Sequence, residues 1–282
     1  MTESFAGFPE DLHVIRPEKG SFSYHELLEK IEDVDAFIPM FDLKVPEELI
    51  KKSKKLKIIS NVGVGYNNID INTAKEYNTI VCNTPTPVTE PTAELAFALM
   101  HDVARRTAEF DRKLRAGIAE PFGVMNNLSH SLYGKTLGII GMGRIGQALA
   151  RRAVASGMRV VYHNRKPLGD EVIRRLGYEV KYVSQEELLQ TADFVSLNLP
   201  YTPEVKHLIG ERELKMMKNS AYLINTSRGA VINEADLKTA LDEGIIAGAG
   251  VDVLSVEPAK ADNPLLKAKK CIITPHLAWA SF

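Results

Sequence analysis

Short runs of apolar residues alternate with amphipathic stretches along most of the chain. In its first part this pattern predicts strands at residues 12–15, 36–40, 56–65 and 79–83, and helices at 24–32, 46–55 and 71–77. Strands that alternate with helices favour a parallel sheet covered by helices.

The segment that follows, PTPVTEPTAELAFALMHDVARR, has the pattern of one long helix. Pro91 suits its first turn, where a missing N–H costs little, and Leu95, Leu99 and Val103 then recur at helical spacing. A helix of this length can link two domains, so we place a domain boundary between residues 91 and 92.

The rest of the chain repeats the alternation more regularly. The stretch TLGIIGMGRIGQALARRAVASGMRVVYHNRK has the pattern of a strand, a glycine turn, a helix and a second strand. Further predicted strands are 194–200, 221–227, 246–253 and 271–275, and further predicted helices are 185–189, 211–217 and 234–243. Short connections between such elements are typical of a doubly wound α/β sheet.

Composition narrows the class of protein. The chain has 282 residues, 45% of them hydrophobic, which suffices for two layered α/β domains. A formal net charge of -1 provides no global positive field for nucleic acid, and no stretch has the pattern of a secretory signal or a membrane span. Cys82 and Cys271 lack metal-binding spacing, so we expect reduced, buried thiols in a soluble, cytoplasmic protein with no metal and no nucleic-acid or membrane partner.

The most specific motif is GMGRIG at residues 141–146, which fits the pattern GxGxxG between a strand and a helix. Gly141 permits the tight turn, Gly143 lets the backbone approach a pyrophosphate, and Gly146 allows close packing of the helix on the strand. The N–H groups at the start of the helix attract the anion. The motif therefore predicts a dinucleotide site, in preference to a glycine turn without a ligand.

The end of the second strand indicates which dinucleotide binds. NAD-type sites carry an acidic residue about 20 positions after the first glycine. Here His163, 22 positions on (163 − 141), is followed by Asn164, Arg165 and Lys166, and no carboxylate is present. These side chains would accept the 2′-phosphate of NADP, although a solvated basic turn is the alternative. We expect NADP as the preferred cofactor and NAD as the second candidate.

Three polar residues follow predicted strands: Arg228, Glu257 and His276. The carboxyl ends of parallel strands share one edge of the sheet, so the topology brings them together. A histidine can deliver a proton to a carbonyl oxygen, a neighbouring carboxylate favours its charged form, and an arginine can hold a substrate carboxylate. Each alone could be structural, as an ion pair, a turn residue or a loop histidine. Together, beside a dinucleotide site, they indicate hydride reduction of a 2-oxo acid.

The order GMGRIG, LNLPYTPEVKHLI, MKNSAYLINTSRGAVIN, AGAGVDVLSVEP and TPHLAWA resembles the D-isomer-specific 2-hydroxyacid dehydrogenase family over nearly all of the chain. The resemblance implies a smaller, flavodoxin-like α/β substrate domain at 1–91 and a Rossmann dinucleotide-binding domain at 92–282. It further implies an active site in the cleft between them, usually in a homodimer, with Arg228, Glu257 and His276 as the catalytic residues.

The resemblance also implies binding roles. Asp252 would meet the nicotinamide amide, and the backbone N–H groups of Val64 and Gly65 would bind the substrate carboxylate. Trp279 would lie at the substrate, as in the glycerate dehydrogenase and hydroxypyruvate or glyoxylate reductase branch, or it is an interface or core aromatic. The other implied nucleotide contacts are Thr92, Arg144, Ile145, Pro200 and Thr226.

The two chain ends depart from the family pattern. The family opens with one more strand and helix and continues past HLAWAS into a further helix, so we expect a chain shortened at both ends. Reduction of glyoxylate or hydroxypyruvate is the first expectation. A D-lactate or D-3-phosphoglycerate dehydrogenase and a non-catalytic nucleotide-sensing scaffold, as in the family's corepressors, are the alternatives. Phosphoglycerate would require basic residues near the loop at 61–67, which has none.

Overall fold

The computed structural model describes residues 11–18, 20–40 and 43–281, and the chain divides between Thr84 and Pro85 into two units. The strands of the first unit are β1 (Ala36–Phe37), β2 (Ile58–Asn61) and β3 (Ile80–Asn83), which form one parallel sheet in the order β1-β2-β3. Its helices are α1 (Tyr24–Lys30), α2 (Glu47–Lys52) and α3 (Ile71–Glu76). One cluster of buried side chains joins them: Leu27, Ile31, Val45, Leu49, Ile50, Leu56, Ile59, Ile69 and Ala74.

The predicted strand at 12–15 is wrong. These residues have no regular structure, and Leu12, Val14 and Ile15 are each more than two-fifths exposed. Within the described residues they pair with no strand. A short apolar run has little reason to stay extended without a partner for its backbone N–H and C=O groups.

The second unit contains the larger sheet. Its strands are β4 (Thr136–Ile140), β5 (Arg159–His163), β6 (Lys181–Tyr182), β7 (Phe194–Leu197), β8 (Tyr222–Asn225), β9 (Gly248–Val251) and β10 (Cys271–Ile273). All pairs are parallel, in the order β10-β9-β8-β7-β4-β5-β6. The chain leaves β4 in one direction to β5 and β6 and returns to its other side at β7. The carboxyl ends of β4 and β7 are therefore the switch point where ligands bind in such sheets.

Helices precede and connect these strands, and the sequence predicts all of them except those at 107–115 and 170–176. They are α4 (Pro85–Arg105), α5 (Thr107–Arg115), α6 (Arg144–Ala155), α7 (Asp170–Leu176), α8 (Gln185–Thr191), α9 (Glu211–Met216) and α10 (Glu234–Asp242). Two clusters of buried side chains pack on this sheet; one includes Leu99, Met100 and Leu149 of α4 and α6, and the other Leu188, Leu214 and Leu237 of α8, α9 and α10. The predicted α/β fold with a doubly wound sheet is confirmed.

The long helix starts earlier than its apolar spacing indicates. It begins at Pro85, so Pro91 lies inside α4 and the predicted boundary at 91/92 falls within the helix. Pro85 and Pro87 occupy the first turn, where the N–H groups have no acceptor within the helix, so neither residue opposes helix formation there. Pro91 then forfeits a single backbone hydrogen bond.

The two cysteines differ in environment. Cys271 of β10 is partly exposed as a residue, yet burial of its thiol raises the pKa to about 12. Cys82 is exposed, contrary to the expectation of a buried thiol, because alternate residues of β3 face outward at the edge of the small sheet. Across the described residues, no helix combines the length and the apolar character needed to cross a bilayer.

Candidate active site

The glycine turn joins β4 to α6 at the carboxyl end of β4. Gly141 has a φ of 101°, and a Cβ on it would lie 2.6 Å from the carbonyl carbon of Asn198. A Cβ on Gly146 would collide with the Gly141 carbonyl oxygen. At Gly143, in contrast, no atom of the described residues other than its own chain neighbours lies within 4 Å of the Cβ position. Gly141 and Gly146 are therefore required by packing, whereas Gly143 leaves open space in front of the turn.

The start of α6 faces this turn. Gly143 is the N-cap residue and supplies no side-chain hydrogen bond. The N–H groups of the first turn, including those of Arg144 and Ile145, have no acceptor within the helix and lie at the positive end of its dipole. Arg144 is exposed and Ile145 is half-buried. The arrangement suits an anion such as a pyrophosphate.

The end of β5 supplies the side chain that touches the glycine turn. Asn164 Oδ1 accepts a hydrogen bond from the Met142 N–H at 2.7 Å. His163 Nδ1 lies 2.9 Å from the Val183 carbonyl oxygen, which only accepts, so Nδ1 carries a proton. Arg165 and Lys166 are exposed. Asn164, which the sequence predicts to lie at the nucleotide, directly follows β5 and contacts the glycine turn.

Three buried polar atoms near strand ends have no hydrogen-bond partner among the residues that the structure describes: Asn198 Oδ1, Thr226 Oγ1 and Arg228 Nε. Asn198 follows β7 and Thr226 follows β8, while Pro200, also expected at the nucleotide, is exposed. Burial of an unpaired polar atom is costly, so such atoms call for a ligand or water. They fit a dinucleotide whose hydroxyl and amide groups would complete their hydrogen bonds. Sequence reasoning missed Asn198, which lies in the motif LNLP.

Arg228 lies after β8 in a braced turn. The Asn225 side chain donates to the Arg228 carbonyl oxygen at 3.0 Å and accepts from the Ser227 N–H at 3.0 Å and the Ser227 hydroxyl at 2.8 Å. Arg228 Nη1 donates to the Ser227 carbonyl oxygen at 2.8 Å. A Cβ on Gly229 would collide with the Leu254 backbone, so this turn packs directly on the segment before Glu257. These bonds and this packing hold the backbone of Arg228 in place, and with it the start of its side chain.

The side chains of Glu257 and His276 are hydrogen-bonded to each other. Glu257 Oε2 lies 2.6 Å from His276 Nδ1, and Oε1 accepts from the Leu254 N–H at 2.8 Å. Burial alone would raise the pKa of Glu257, but hydrogen bonds from His276 and Leu254, with the charges of His276 and Arg228, hold the pKa below its usual range. The structure brings all three predicted catalytic residues together in the second unit.

Asp252 holds the turn that presents His276. It is fully buried, and its Oδ1 accepts from the Thr274 hydroxyl at 2.6 Å and the Leu277 N–H at 3.0 Å, while Oδ2 accepts from the Ala278 N–H at 2.9 Å. Its carbonyl oxygen accepts from the His276 N–H at 2.7 Å. His276 has a φ of 53°, a conformation that this set of bonds maintains.

Thr92 and Trp279 flank the same turn. The buried Thr92 hydroxyl donates to the Ala278 carbonyl oxygen at 3.4 Å, which ties α4 to the His276 segment. Trp279 Nε1 donates to the His276 carbonyl oxygen at 2.8 Å, and the residue is 39% exposed. Trp279 is therefore neither a core aromatic nor remote from His276.

The predicted substrate loop lies in the first unit. The Gly63 carbonyl oxygen accepts from the Thr84 N–H at 3.0 Å, and the Val64 carbonyl oxygen accepts from Asn83 Nδ2 at 2.8 Å. In a trans peptide the C=O and the next N–H point in opposite directions. The N–H groups of Val64 and Gly65 therefore point away from these donors. Neither has an acceptor within the described part of the chain, so together they form a pair of donors suited to a carboxylate.

A doubly wound sheet with a glycine turn, orphaned polar atoms at its switch point and a histidine–carboxylate pair beside an arginine defines a dinucleotide-dependent dehydrogenase. Residues 97–278 match the profile of the NAD binding domain of D-isomer specific 2-hydroxyacid dehydrogenases. The chain belongs to this family.

Similar proteins include a glyoxylate reductase from Thermococcus litoralis, 47% identical over 261 residues, which span 90% of this chain and 77% of that protein. Among solved structures, a glyoxylate reductase from Paecilomyes thermophila has a TM-score of 0.83 and 36% identity, covering 92% of this chain and 80% of that one. An NADPH-dependent glyoxylate/hydroxypyruvate reductase from Sinorhizobium meliloti, in complex with NADP and malonate, has a TM-score of 0.79 and 33% identity, covering 89% and 76%.

Proposed function

We propose that this chain uses NADPH to reduce glyoxylate to the achiral glycolate and hydroxypyruvate to the D-2-hydroxy acid. The observation that carries the proposal is the hydrogen-bonded pair of His276 with Glu257, formed beside Arg228 at the strand ends of a dinucleotide-binding sheet. The named activities of the relatives from Thermococcus litoralis and Sinorhizobium meliloti support the choice of substrates.

The residues act in distinct ways in this proposal. The bound cofactor supplies the hydride that reduces the 2-oxo carbon. His276, charged by its pairing with Glu257, delivers a proton to the carbonyl oxygen as the alcohol forms. Arg228 binds the substrate carboxylate and polarises the adjacent carbonyl. In the first unit, the N–H groups of Val64 and Gly65 are donors suited to a carboxylate. Trp279, anchored on the His276 carbonyl oxygen, borders the substrate.

We assign cofactor contacts in the same proposal. Gly141, Gly143, Gly146, Arg144 and Ile145 form the pyrophosphate cradle. Thr226 and Asn198 offer their unpaired oxygens to hydroxyl or amide donors. Pro200 follows Asn198 in the motif LNLP, and Thr92 is bonded to the Ala278 carbonyl oxygen beside the His276 turn. The Asp252 carboxylate oxygens already accept three hydrogen bonds from the turn around His276, donated by Thr274, Leu277 and Ala278.

The preference for NADP rests on the residues after β5. Asn164 is occupied at Oδ1 by the Met142 N–H, which leaves its amide N–H groups as donors toward an oxygen of the adenosine ribose. Arg165 and Lys166 are exposed cations beside it, and His163 Nδ1 is engaged by the Val183 carbonyl oxygen at 2.9 Å. Hydrogen-bond donors and cations favour binding of a 2′-phosphate. Residues 163–166 include no carboxylate that would select NAD.

Initial rates of NADPH and NADH oxidation with glyoxylate, hydroxypyruvate and pyruvate test the proposal. We expect fast, NADPH-selective reduction of the first two acids. Arg165→Ala should raise KM for NADPH by about tenfold, the loss of one charge-assisted contact, and leave KM for NADH nearly unchanged. Arg174→Ala, an exposed arginine of α7, is the matched control. Preference for pyruvate would indicate a D-lactate dehydrogenase, and nucleotide binding without any turnover would indicate a sensing scaffold.

We further propose a homodimer in the cytoplasm. The segment from Ala116 to Leu128 has no helix or strand and exposes apolar side chains, with Phe122 at 105%, Val124 at 93% and Met125 at 77%. Its single charged residue, Glu120, is paired with Lys113 at 2.6 Å. An apolar surface without unpaired charge suits a second copy of itself, and the free thiols of Cys82 and Cys271 suit a reducing compartment.

A further inference from the structure

The loop that carries Glu257 needs an anchor that its own composition does not provide. Every residue from 255 to 262 is exposed, and none belongs to a helix or strand. Conformational entropy opposes holding such a loop in one arrangement. The Glu257 side chain is nevertheless only 24% exposed and stays bonded to His276.

Both ends of this loop are bound by one carboxylate, that of Glu234 at the first position of α10. Glu234 Oε1 accepts from the Ser255 N–H at 2.6 Å, and Oε2 accepts from Asn263 Nδ2 at 2.9 Å. Asn263 is 8% exposed, and its Oδ1 accepts from the Leu265 N–H at 2.9 Å, which fixes the orientation of the amide. Glu234 therefore closes the loop at its base.

The connection from this clamp to His276 is short. Ser255 follows Leu254, whose N–H donates to Glu257 Oε1 at 2.8 Å, and Glu257 Oε2 bonds His276 Nδ1 at 2.6 Å. The Ser255 N–H lies on the 254–255 peptide, and the Leu254 N–H that bonds Glu257 lies on the adjacent 253–254 peptide. A shift of Ser255 away from Glu234 would therefore turn the peptide next to the one that orients Glu257. The 254–255 peptide also packs directly on Gly229. It therefore lies between Glu234 of α10, which accepts from its N–H, and the Arg228 turn.

We propose that Glu234 is a positioning residue that holds Glu257 against His276 by clamping the 254–263 loop. The inference rests on the proposed function only in that this pair delivers the proton. Loss of the clamp lets the loop sample other conformations, so the carboxylate spends less time beside the imidazole. The charged form of His276 is then less favoured.

Glu234→Ala tests the proposal against a matched control. In the reduction of glyoxylate, the alkaline limb of the kcat/KM profile should move to lower pH by about half to one unit, because the imidazolium loses its counter-charge. Arg228 and Asp252 are the other charged groups around this pair, and the substitution leaves both in place. Asp236→Ala removes a carboxylate from the same turn of α10, one that binds the Glu211 N–H at 3.1 Å and not the loop. It should lower stability without moving the limb.

A donor–acceptor exchange provides a second variant. In Glu234→Gln the side chain can still accept from the Ser255 N–H, but its amide N–H would face the donor Nδ2 of Asn263. Asn263→Asp added to Glu234→Gln restores a donor facing an acceptor and keeps an oxygen for the Leu265 N–H. The double variant should recover much of the wild-type profile that the single variant Glu234→Gln loses.

Titration of the His276 imidazole by NMR gives a readout that needs no substrate. The midpoint should fall in Glu234→Ala and stay unchanged in Asp236→Ala. An unchanged midpoint and an unchanged alkaline limb in folded Glu234→Ala would overturn the clamp. Absence of turnover in the wild-type protein, with a shifted midpoint in Glu234→Ala, would refute the proposed function and leave the clamp intact.

Discussion

Two carboxylates hold His276, and they act on different parts of it. Asp252 is buried and bonds the backbone and neighbours of His276, so it determines the conformation of the turn. Glu257 bonds the imidazole itself, so it influences the charge of the ring. The separation matters because conformation has to be constant during the reaction, whereas the charge on the ring changes as the proton is delivered.

Glu257→Gln separates these two roles. The amide can still accept from the Leu254 N–H but carries no charge, so the imidazolium is less favoured. We expect kcat/KM for glyoxylate to fall by ten- to a hundredfold at alkaline pH, with the alkaline limb moved to lower pH. Nucleotide affinity should change little. Rate profiles from pH 5 to 9 measure the effect, and Glu243→Gln on the exposed end of α10 is the control.

The same substitution affects stability with a definite sign. The pKa of Glu257 is lowered in the folded protein, so its contribution to stability is present above the unfolded-state pKa, near 4.3 for glutamate, and is lost as the pH falls through the folded value. Glu257→Gln should therefore make unfolding less dependent on pH in the acid range. A variant with the same acid limb as the wild-type protein in urea titrations, and with an unmoved rate profile, would contradict the pairing.

Residues differ in how far their sequence context predicted their role. Arg228, Glu257 and His276 follow strands of a parallel sheet, so topology alone indicated that they meet. Glu234 carries no such signal. Asn198 does follow β7, but its unpaired amide oxygen, like the bonds of Glu234 to two loop ends, depends on side-chain orientation. Spacing along the chain cannot supply that orientation.

At the scale of elements, the glycine turn combines two different requirements. Gly141 has a positive φ and lies against the Asn198 carbonyl, so the fold itself excludes a side chain. Gly143 has a φ of -81° and open space at its Cβ position, so only a ligand would need it to be glycine. The motif GxGxxG does not distinguish the two, although its spacing predicted the turn.

Alanine at Gly141 should therefore affect mainly the stability of the protein, and alanine at Gly143 mainly its affinity for NADPH. Gly141→Ala should lower the free energy of unfolding by about 1 to 3 kcal/mol, because of the positive φ and the collision with Asn198. Gly143→Ala should leave unfolding of the ligand-free protein within about 0.5 kcal/mol and weaken NADPH binding by about tenfold or more, because a methyl group fills the space that a pyrophosphate needs. Urea unfolding and NADPH fluorescence titration measure the two quantities. Equal NADPH affinity in Gly143→Ala and the wild-type protein would place the pyrophosphate elsewhere.

Elements were predicted well where a strand or helix buries one face and poorly where burial is absent. β4, β7, β8 and β9 are buried at every position, and each lies within a predicted strand. A strand was wrongly predicted for the exposed run at 12–15. The two-residue strand β6, with both residues exposed, was missed. α5 buries no residue and was missed as well. The periodicity of apolar residues indicates which face of an element is buried, so it does not predict elements that bury no face.

At the scale of the whole molecule, the exposure of apolar side chains in the segment 116–128 has no explanation within a single chain. The residues on both sides of this segment make side-chain bonds. Before it, Glu109 of α5 pairs with Arg106 and Lys113, and these two cations lower the pKa of Glu109 to about 2. After it, His130 Nδ1 lies 2.7 Å from the Tyr222 hydroxyl. A segment that is anchored at both ends and exposed in between offers its apolar side chains to another molecule, as the proposed homodimer requires.

Phe122→Asp tests whether that molecule is a second copy. In a symmetric dimer the same patch is used on both chains, so one substitution introduces two charges into one interface. We expect light scattering coupled to size-exclusion chromatography to give a dimer mass for the wild-type protein and a monomer mass for Phe122→Asp. Leu266→Asp, at an apolar residue 48% exposed elsewhere in the second unit, should remain dimeric. A dimeric Phe122→Asp would remove this segment from the interface, and a monomeric wild-type protein would refute the homodimer itself. Retained NADPH binding by the Phe122→Asp monomer would show in addition that the dinucleotide site is complete within one chain, because every residue assigned to it here belongs to a single second unit.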